Sequence, residues 1–231
     1  MTVDCTDAGL NFPDVGERLS PVANRHNFDI GQSLPLDELV YFPLDGIASV
    51  LLQQEKVQFQ VGFAKRGDVI GLQRLFVTEA PPLRAITLRG GSFLAVPAEV
   101  LSRLMREDRR LRDRLSGYAM RTTCSYLDEA AQAVGLTLER RVARWICHCR
   151  DAIGTDVLPV THQELAASLG VRRSGVTVAL HVLEGEHLIR SRRRRIEVVD
   201  QGRLRTFLAA PVERIDLERA AAAAAAAAHR L

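Results

Sequence analysis

The sequence predicts an α+β fold: an N-terminal β jelly roll, a long helix, and a C-terminal domain of short helices with a β hairpin. This prediction rests on a change of periodicity along the chain. Between residues 38 and 97, short apolar segments alternate with turns at regular intervals, as in an all-β domain. From Pro97 onward, apolar residues recur every three to four positions, which is the spacing of an amphipathic helix. With 231 residues the chain is long enough for two modest domains.

The region 18–107 has the pattern of a small β domain. Within residues 57–63, apolar side chains alternate with glutamine or glycine, which is the period of a half-buried strand. Further short apolar runs at 39–42, 47–52, 85–88 and 93–96 are separated by turns that contain proline or glycine. Strands spaced in this way close into a sandwich or small barrel, and we expect a jelly roll.

The region 108–135 is predicted to be one long helix. Four residues form an apolar stripe at helical spacing, flanked by arginines: Leu111, Leu115, Tyr118 and Thr122. Such a stripe either packs on the surface of the barrel or forms a dimer interface with a second copy. Spacing alone leaves both interpretations open.

A third helix is expected over residues 137–152, and it contains two nearby cysteines. Cys147 and Cys149 are separated by two positions, so on a helix they point in different directions and cannot share a metal ion. We therefore expect both to be buried structural residues. The sequence predicts no metal site and no cofactor.

Charge is distributed unevenly along the chain. Residues 1–60 contain nine acidic and three basic side chains, a balance of −6, whereas the whole chain is +3. The remainder is therefore +9, which favours a polyanionic partner for the C-terminal part. No apolar run is long enough to cross a bilayer, and the first residues lack the pattern of a secretion signal, so the sequence predicts a cytoplasmic protein without a membrane partner.

Residues 161–185 have the pattern of a helix-turn-helix. Thr161 and Glu164 are spaced as a capping box at a helix start, and Gly170 supplies the stop. A second helix is predicted over residues 171–184, with Val176, Leu180 and Leu183 facing inward. Two short helices joined by a tight turn that contains glycine are typical of this motif.

The second helix would present DNA-binding chemistry. Arg172, Arg173 and Ser174 lie in its first turn, and Thr177 and Val178 follow one turn later. The N-terminal part of the second helix in this motif meets base edges, where arginine binds guanine O6 and N7 as a fork. An ordinary helical hairpin with a solvated arginine pair is the alternative.

Two apolar segments after this helix, 188–190 and 196–199, are predicted to form a hairpin around residues 191–195. Such a hairpin is a wing, and its arginines can contact the phosphate backbone of DNA. A solvated surface is the usual role of a charge run, but its position after the second helix favours phosphate contact. The predicted DNA-contacting residues are Thr161, His162, Arg172, Arg173, Ser174, Thr177, Val178, Arg192, Arg193, Arg194 and Arg195.

From these segments the chain resembles the Crp/Fnr family of bacterial transcription regulators. The likeness spans about residues 18–208 and is strongest at 139–199, in the segments Glu139–Trp145, 161–166, 169–177 and the wing that begins at Leu188. It implies a cyclic-nucleotide-binding-like effector domain at 18–107, a dimerisation helix at 108–135, a winged helix-turn-helix domain at 136–210 and an alanine-rich tail at 211–231. It also implies a homodimer that binds an inverted repeat in double-stranded DNA, and contact with RNA polymerase through the loop around residues 152–156.

The effector region departs from the cyclic-AMP-binding members of this family. In those members a glycine is followed by glutamate, but here Gly71 is followed by Leu72, which offers no acceptor for a ribose hydroxyl. Arg84 corresponds to their phosphate-binding arginine, yet Ala85 follows it without a hydroxyl. The sequence therefore argues against cyclic AMP and leaves Gly71 and Arg84 as candidate contacts for an unidentified effector. Cys5 is alone near the N-terminus, which argues against an iron–sulfur cluster.

Two other functions are considered. Jelly-roll metalloenzymes need several histidines and a carboxylate inside the barrel, but His26 is the only histidine before residue 148, so we expect no enzyme. A ligand-sensing adaptor that contacts proteins and does not bind DNA remains the alternative.

Overall fold

The computed structural model describes residue 19 and residues 21–54, 57–77 and 82–209. The chain divides into two compact units, Met1–Tyr126 and Leu127–Leu231. The lone Cys5 and the alanine-rich tail lie outside the described residues.

The first unit contains two antiparallel sheets. Its strands are β1 (Asn24–Phe28), β2 (Ser33–Leu34), β3 (Leu39–Pro43), β4 (Ile47–Gln54), β5 (Val57–Ala64), β6 (Leu83–Arg89) and β7 (Gly91–Pro97). One sheet has the order β1-β7-β3 and the other β2-β6-β4-β5. The predicted strands are confirmed, and β1 and β2 are additional, since residues 24–28 are mostly polar and exposed and leave no apolar pattern.

The strands β3 and β7 are buried on both faces. Val40 and Phe42 belong to one apolar cluster, whereas Tyr41 between them belongs to the other. The strand β7 is divided in the same way between the two clusters. This is why β3 and β7 are continuous apolar runs in the sequence, because a strand covered on both sides has no solvent face to alternate with.

Two helices follow the barrel, α1 (Ala98–Glu107) and α2 (Arg109–Val134). Leu111 and Leu115 of α2 are 2% and 0% exposed and belong to the same cluster as Val40 and Phe42 of the barrel. The hydroxyl of Tyr118 accepts from the Val69 amide over 2.9 Å. Burial of each leucine contributes roughly 1.5–3 kcal/mol to folding.

The prediction of a dimer interface on this stripe is therefore corrected. Leu111, Leu115 and Tyr118 are engaged by their own barrel, and half-buried Thr122 lies one turn after Tyr118 on the same stripe. The sequence alone could not decide this, because an apolar stripe has the same period whichever surface it covers.

The second unit consists of helices and one small sheet. Its helices are α3 (Leu138–Ile153), α4 (His162–Leu169), α5 (Arg173–Gly185) and α6 (Gln201–Ala209). The strands β8 (Val157–Leu158), β9 (Ile189–Arg192) and β10 (Arg195–Val198) form an antiparallel sheet in the order β8-β10-β9. Among the described residues, no helix is long and apolar enough to span a membrane.

Candidate nucleic-acid interface

The helix α4 begins with the predicted capping box. Thr161 Oγ1 accepts from the Glu164 amide over 3.1 Å, and a Glu164 carboxylate oxygen accepts from the Thr161 amide over 2.7 Å. Both bonds satisfy backbone donors that a helix start leaves free. Gly170 ends the helix with a φ of 65°, in the left-handed region that glycine adopts without strain. This cap fixes the direction in which the chain turns toward α5.

The helix α5 is held by a buried face. Val176, Ala179, Leu180 and Leu183 are at most 1% exposed. The helix begins at Arg173, two residues later than predicted, because Arg172 has an extended backbone with ψ of 142° and acts as the N-cap. Arg172 therefore precedes the helix, and its side chain makes no capping hydrogen bond.

The opposite face of α5 is exposed over its first two turns. Arg173 and Ser174 are exposed, Val178 is 60% exposed, and Thr177 is half-buried. His181 continues this face one turn later and is also exposed. Sequence reasoning missed His181, although its spacing of seven from Ser174 and three from Val178 places it on the same helix face.

His162 connects α4 to both α5 and the wing. Its Nδ1 lies 3.0 Å from Thr177 Oγ1, and its Nε2 lies 3.0 Å from Ser191 Oγ. Thr177 Oγ1 also donates to the Arg173 carbonyl over 3.1 Å. The imidazole ring of His162 thus bridges α5 and β9. It therefore has a structural role in the free protein, because it links α5 to the wing.

The strands β9 and β10 form the predicted wing, with a tighter turn than expected. Arg192 pairs with Arg195, so both lie in the strands, and the turn contains only Arg193 and Arg194. All four arginines are exposed. The Ser191 amide donates to Glu184, which attaches the wing to α5 as well as to α4.

An open cleft of about 560 Å³ lies between α5 and the wing, and we call it the wing cleft. It is lined by Thr161–Gln163 at the start of α4, by Arg173, His181 and Glu184 of α5, and by Ser191–Arg194 of the wing. The pKa of His162 is lowered, first because the ring is partly buried and then because Arg173 and His181 are close. The imidazole is therefore neutral at neutral pH in the free protein.

Six of the eleven predicted DNA-contacting residues line the wing cleft. Arg173, Arg192, Arg193 and Arg194 all line the wing cleft together with His162. Thr161 also lines it, but its hydroxyl already accepts a hydrogen bond in the capping box. The predicted residues that are exposed are Arg172, Arg173, Ser174, Val178, Arg192, Arg193, Arg194 and Arg195.

Gly71 and Arg84, the candidate effector residues, both belong to the barrel but differ in exposure. Gly71 is buried with φ of 86°, and a Cβ there would lie 3.3 Å from the Leu39 carbonyl oxygen, so the backbone itself requires glycine. Arg84 is exposed on β6, whereas the neighbouring Ala85 is fully buried. Successive residues of a strand point to opposite faces, so Arg84 is directed away from the cluster that contains Ala85.

Cys147 and Cys149 are both buried, as expected for structural residues. Burial raises the pKa of the Cys147 thiol to about 11 and that of Cys149 further. No group of histidine, cysteine or carboxylate side chains that could hold a metal ion occurs within the described residues.

Comparison with known proteins identifies the second unit. A model of the Crp-like helix-turn-helix domain matches residues 140–207. No curated protein matches the sequence. Among solved structures, a Crp/Fnr-family regulator of Eubacterium rectale has a TM-score of 0.73 at 16% identity, covering 84% of this chain and 94% of its own.

Two further solved structures give the same result. The c-di-GMP-responsive regulator CLP of Xanthomonas campestris has a TM-score of 0.67 at 16% identity, covering 80% of this chain and 98% of its own. A Crp/Fnr-family regulator of Thermus thermophilus has a TM-score of 0.66 at 20% identity, covering 81% and 99%. Residues 140–207 thus form a Crp-like helix-turn-helix domain, in a chain that has the fold of the Crp/Fnr transcription regulators.

Proposed function

We propose that this chain is a homodimeric, sequence-specific DNA-binding transcription regulator. The observation that carries the proposal is the arrangement of α5 beside an arginine-rich wing. An exposed helix face and an exposed cationic hairpin are joined through His162 and Glu184. A helix that meets base edges and a hairpin that meets phosphates are the two parts that sequence-specific binding requires.

Base recognition is assigned to the first two turns of α5. Arg173 is exposed at the first helical position and can bind guanine O6 and N7 through its forked guanidinium. Ser174 can donate to or accept from either base of a pair, and exposed Val178 can pack against a thymine methyl group. Arg172 precedes the helix, and we assign it to the phosphate backbone.

Phosphate contact is assigned to the wing. Arg192, Arg193, Arg194 and Arg195 are exposed, and a contact between arginine and phosphate releases condensed counterions whatever the base sequence. These residues would set affinity and register on the duplex, whereas α5 would set the sequence preference.

A different face of α2 is proposed as the dimer interface. Met120 and Leu127 are 67% and 66% exposed, the highest values among the large apolar residues that the structure describes. Their spacing of seven is that of a coiled-coil repeat. We define the seam as the residues alternately three and four apart along this face: Gly117, Met120, Cys124, Leu127 and Ala131. A second copy packed along the seam would bury these side chains and present two α5 helices to an inverted repeat, with half-sites about 34 Å apart.

Partners beyond DNA follow from the same proposal. The loop after α3 is exposed at Gly154, Thr155 and Asp156, and we propose it as the contact for RNA polymerase. A regulator of bacterial promoters acts in the cytoplasm and performs no catalysis. An effector remains unidentified, and its binding at Gly71 and Arg84 stays a prediction.

Selection of binding sites from random duplexes tests this function. The full chain should enrich one inverted repeat and bind it at least a thousandfold more tightly than unrelated DNA. Arg203→Ala is the matched control for arginine substitutions in α5 and the wing, because Arg203 is an exposed arginine of α6 that does not line the wing cleft. This variant should enrich the same repeat as the wild-type chain. Elution from bulk DNA at the lowest salt, without enrichment of any sequence, would instead support an adaptor that does not bind DNA.

A further inference from the structure

We propose that the wing cleft binds one backbone phosphate of the DNA and that His162 takes up a proton when this phosphate enters. The inference rests on the proposed function and adds a linked protonation to it. The wing cleft is open, and four of the residues lining it are arginines: Arg173, Arg192, Arg193 and Arg194. A cationic cleft beside a helix that approaches the major groove fits a phosphodiester oxygen in charge and in position.

The hydrogen bonds define the protonation state of His162 before DNA binds. Thr177 Oγ1 uses its own proton on the Arg173 carbonyl, so it can only accept from His162 Nδ1. A neutral ring with its proton on Nδ1 has a lone pair on Nε2, and the Ser191 hydroxyl must therefore donate to Nε2. Both ring nitrogens are satisfied with one proton, which makes the neutral form stable in the free protein.

A second proton can be accommodated without moving the ring. When Nε2 is protonated it donates to Ser191 Oγ, and the Ser191 hydroxyl hydrogen is released to bind another acceptor. A phosphate oxygen in the wing cleft is such an acceptor. The bridge from α4 to α5 and β9 is kept in both states, so protonation adds a positive charge without loosening the wing.

Charged groups on all three elements decide when this proton binds. Arg173 and His181 of α5 oppose a positive charge on His162, whereas Glu184 of α5 favours it. Arg192, Arg193 and Arg194 of the wing line the same cleft and add further positive charge there, while Glu164 of α4 is engaged with the Thr161 amide. A bound phosphate brings a full negative charge into the wing cleft and reverses the balance. The pKa of His162, lowered in the free protein, is therefore raised in the complex.

The sign of the pH dependence follows from this linkage. Since the complex binds the proton more tightly than the free protein, DNA affinity rises as the pH falls through the complex's pKa. It becomes constant below the pKa of the free protein, where both states are protonated. Between these two limits the association constant changes by up to tenfold per pH unit, and above the complex's pKa it is again constant.

The test measures the Kd of the full chain for its selected site from pH 5.5 to 8.0 at constant salt. Wild type should show the rise in affinity on acidification, whereas His162→Gln should bind with no such dependence, because glutamine can bridge but cannot titrate. His162→Arg fixes the charge and should also abolish the dependence. His26→Gln is the matched control, since His26 is an exposed histidine of β1 that does not line the wing cleft, and it should keep the wild-type slope.

NMR titration of the His162 ring in the wild-type chain provides a measurement that needs no variant. Its pKa should rise when the specific duplex is added. A second titration with inorganic phosphate in place of DNA distinguishes a general anion site from one that needs the duplex. If the duplex is needed to position the phosphate, millimolar inorganic phosphate should leave the pKa of His162 unchanged. A pH slope that persists in His162→Gln, or an unaltered His162 pKa in the complex, would overturn the proposal. Specific binding at pH 8.0 would leave the proposed function intact in that case, whereas its loss at every pH would refute the function itself.

Discussion

Arg144 Nη2 of α3 donates to Glu129 Oε2 of α2 over 2.7 Å, with the two side chains only 13% and 27% exposed. His148 Nδ1 lies 3.6 Å from the other carboxylate oxygen. The last part of the long helix is thereby joined to the first helix of the Crp-like domain.

Glu129→Gln should lower the free energy of unfolding by about 1–3 kcal/mol, because a charge-assisted hydrogen bond to a largely buried guanidinium is weakened. Chemical denaturation of the full chain measures the loss. Asp113→Asn is the control, since Asp113 pairs with Arg109 where both side chains are mostly exposed, and it should cost under about 1 kcal/mol. Equal losses in the two variants would show that the Glu129 pair has no special structural role.

Leu127→Glu should convert the proposed dimer to a monomer, because two carboxylates would face each other across the proposed seam. Analytical ultracentrifugation measures the mass, and binding to the inverted repeat should fall together with dimer formation. Ser125→Glu places the same charge on an exposed position of α2 outside the seam and should leave the dimer intact. A wild-type monomer at working concentration would exclude the seam altogether.

Cys124 provides an independent check of the seam. It is exposed, whereas Cys147 and Cys149 are buried and do not react readily. In a parallel dimer the two copies of Cys124 would face each other, so mild oxidation of a Cys5→Ser variant should yield a covalent dimer. Cys124→Ser in the same background should yield none, and a cross-link that survives this change would place the interface elsewhere.

Arg173→Ala should weaken binding to the selected site by about 1–3 kcal/mol and relax the preference at one base position. The reason is the loss of a forked contact that only guanine satisfies. Site selection with the variant measures both effects. An unchanged base preference would remove Arg173 from recognition and assign it to the phosphates.

Arg193→Ala should weaken binding to all sequences alike and reduce the slope of log K against log salt by about 1, since one phosphate contact is lost. Titrations at several salt concentrations with specific and unrelated duplexes give the slope. Arg203→Ala removes an equal charge from α6 and should leave the slope unchanged. A loss restricted to the specific duplex would contradict the assignment to phosphate.

Local signals in the sequence predicted the second unit well. The capping box at Thr161 and Glu164 and the stop at Gly170 depend on a few adjacent residues, so they are visible without tertiary information. The link from His162 to Thr177 and Ser191 could not be predicted, because it joins residues 15 and 29 positions apart whose proximity arises only from packing. The surface covered by Leu111 and Leu115 was ambiguous for the same reason.

The wing turn places an arginine in a backbone conformation that is unfavourable for this residue type. Arg194 has φ of 60°, in the left-handed region that usually requires glycine or asparagine in a two-residue hairpin. Such a conformation costs an arginine roughly 1–2 kcal/mol. The chain retains an arginine at this strained position, which is what we expect if its charge contributes to DNA binding.

Arg194→Gly separates backbone strain from charge. Glycine relieves the strain, and after its greater freedom in the unfolded chain is subtracted we expect a gain of about 0.5–1 kcal/mol in the free energy of unfolding. Arg194→Ala removes the same charge but keeps the strain, so it should give no such gain. Both variants should lose DNA affinity equally, without a change in base preference, because both lack the guanidinium. Denaturation and binding titrations on the pair therefore measure the two contributions independently. If the glycine variant were more stable and bound DNA as tightly as wild type, Arg194 would have no part in phosphate contact, and its place in the wing would be unexplained by function.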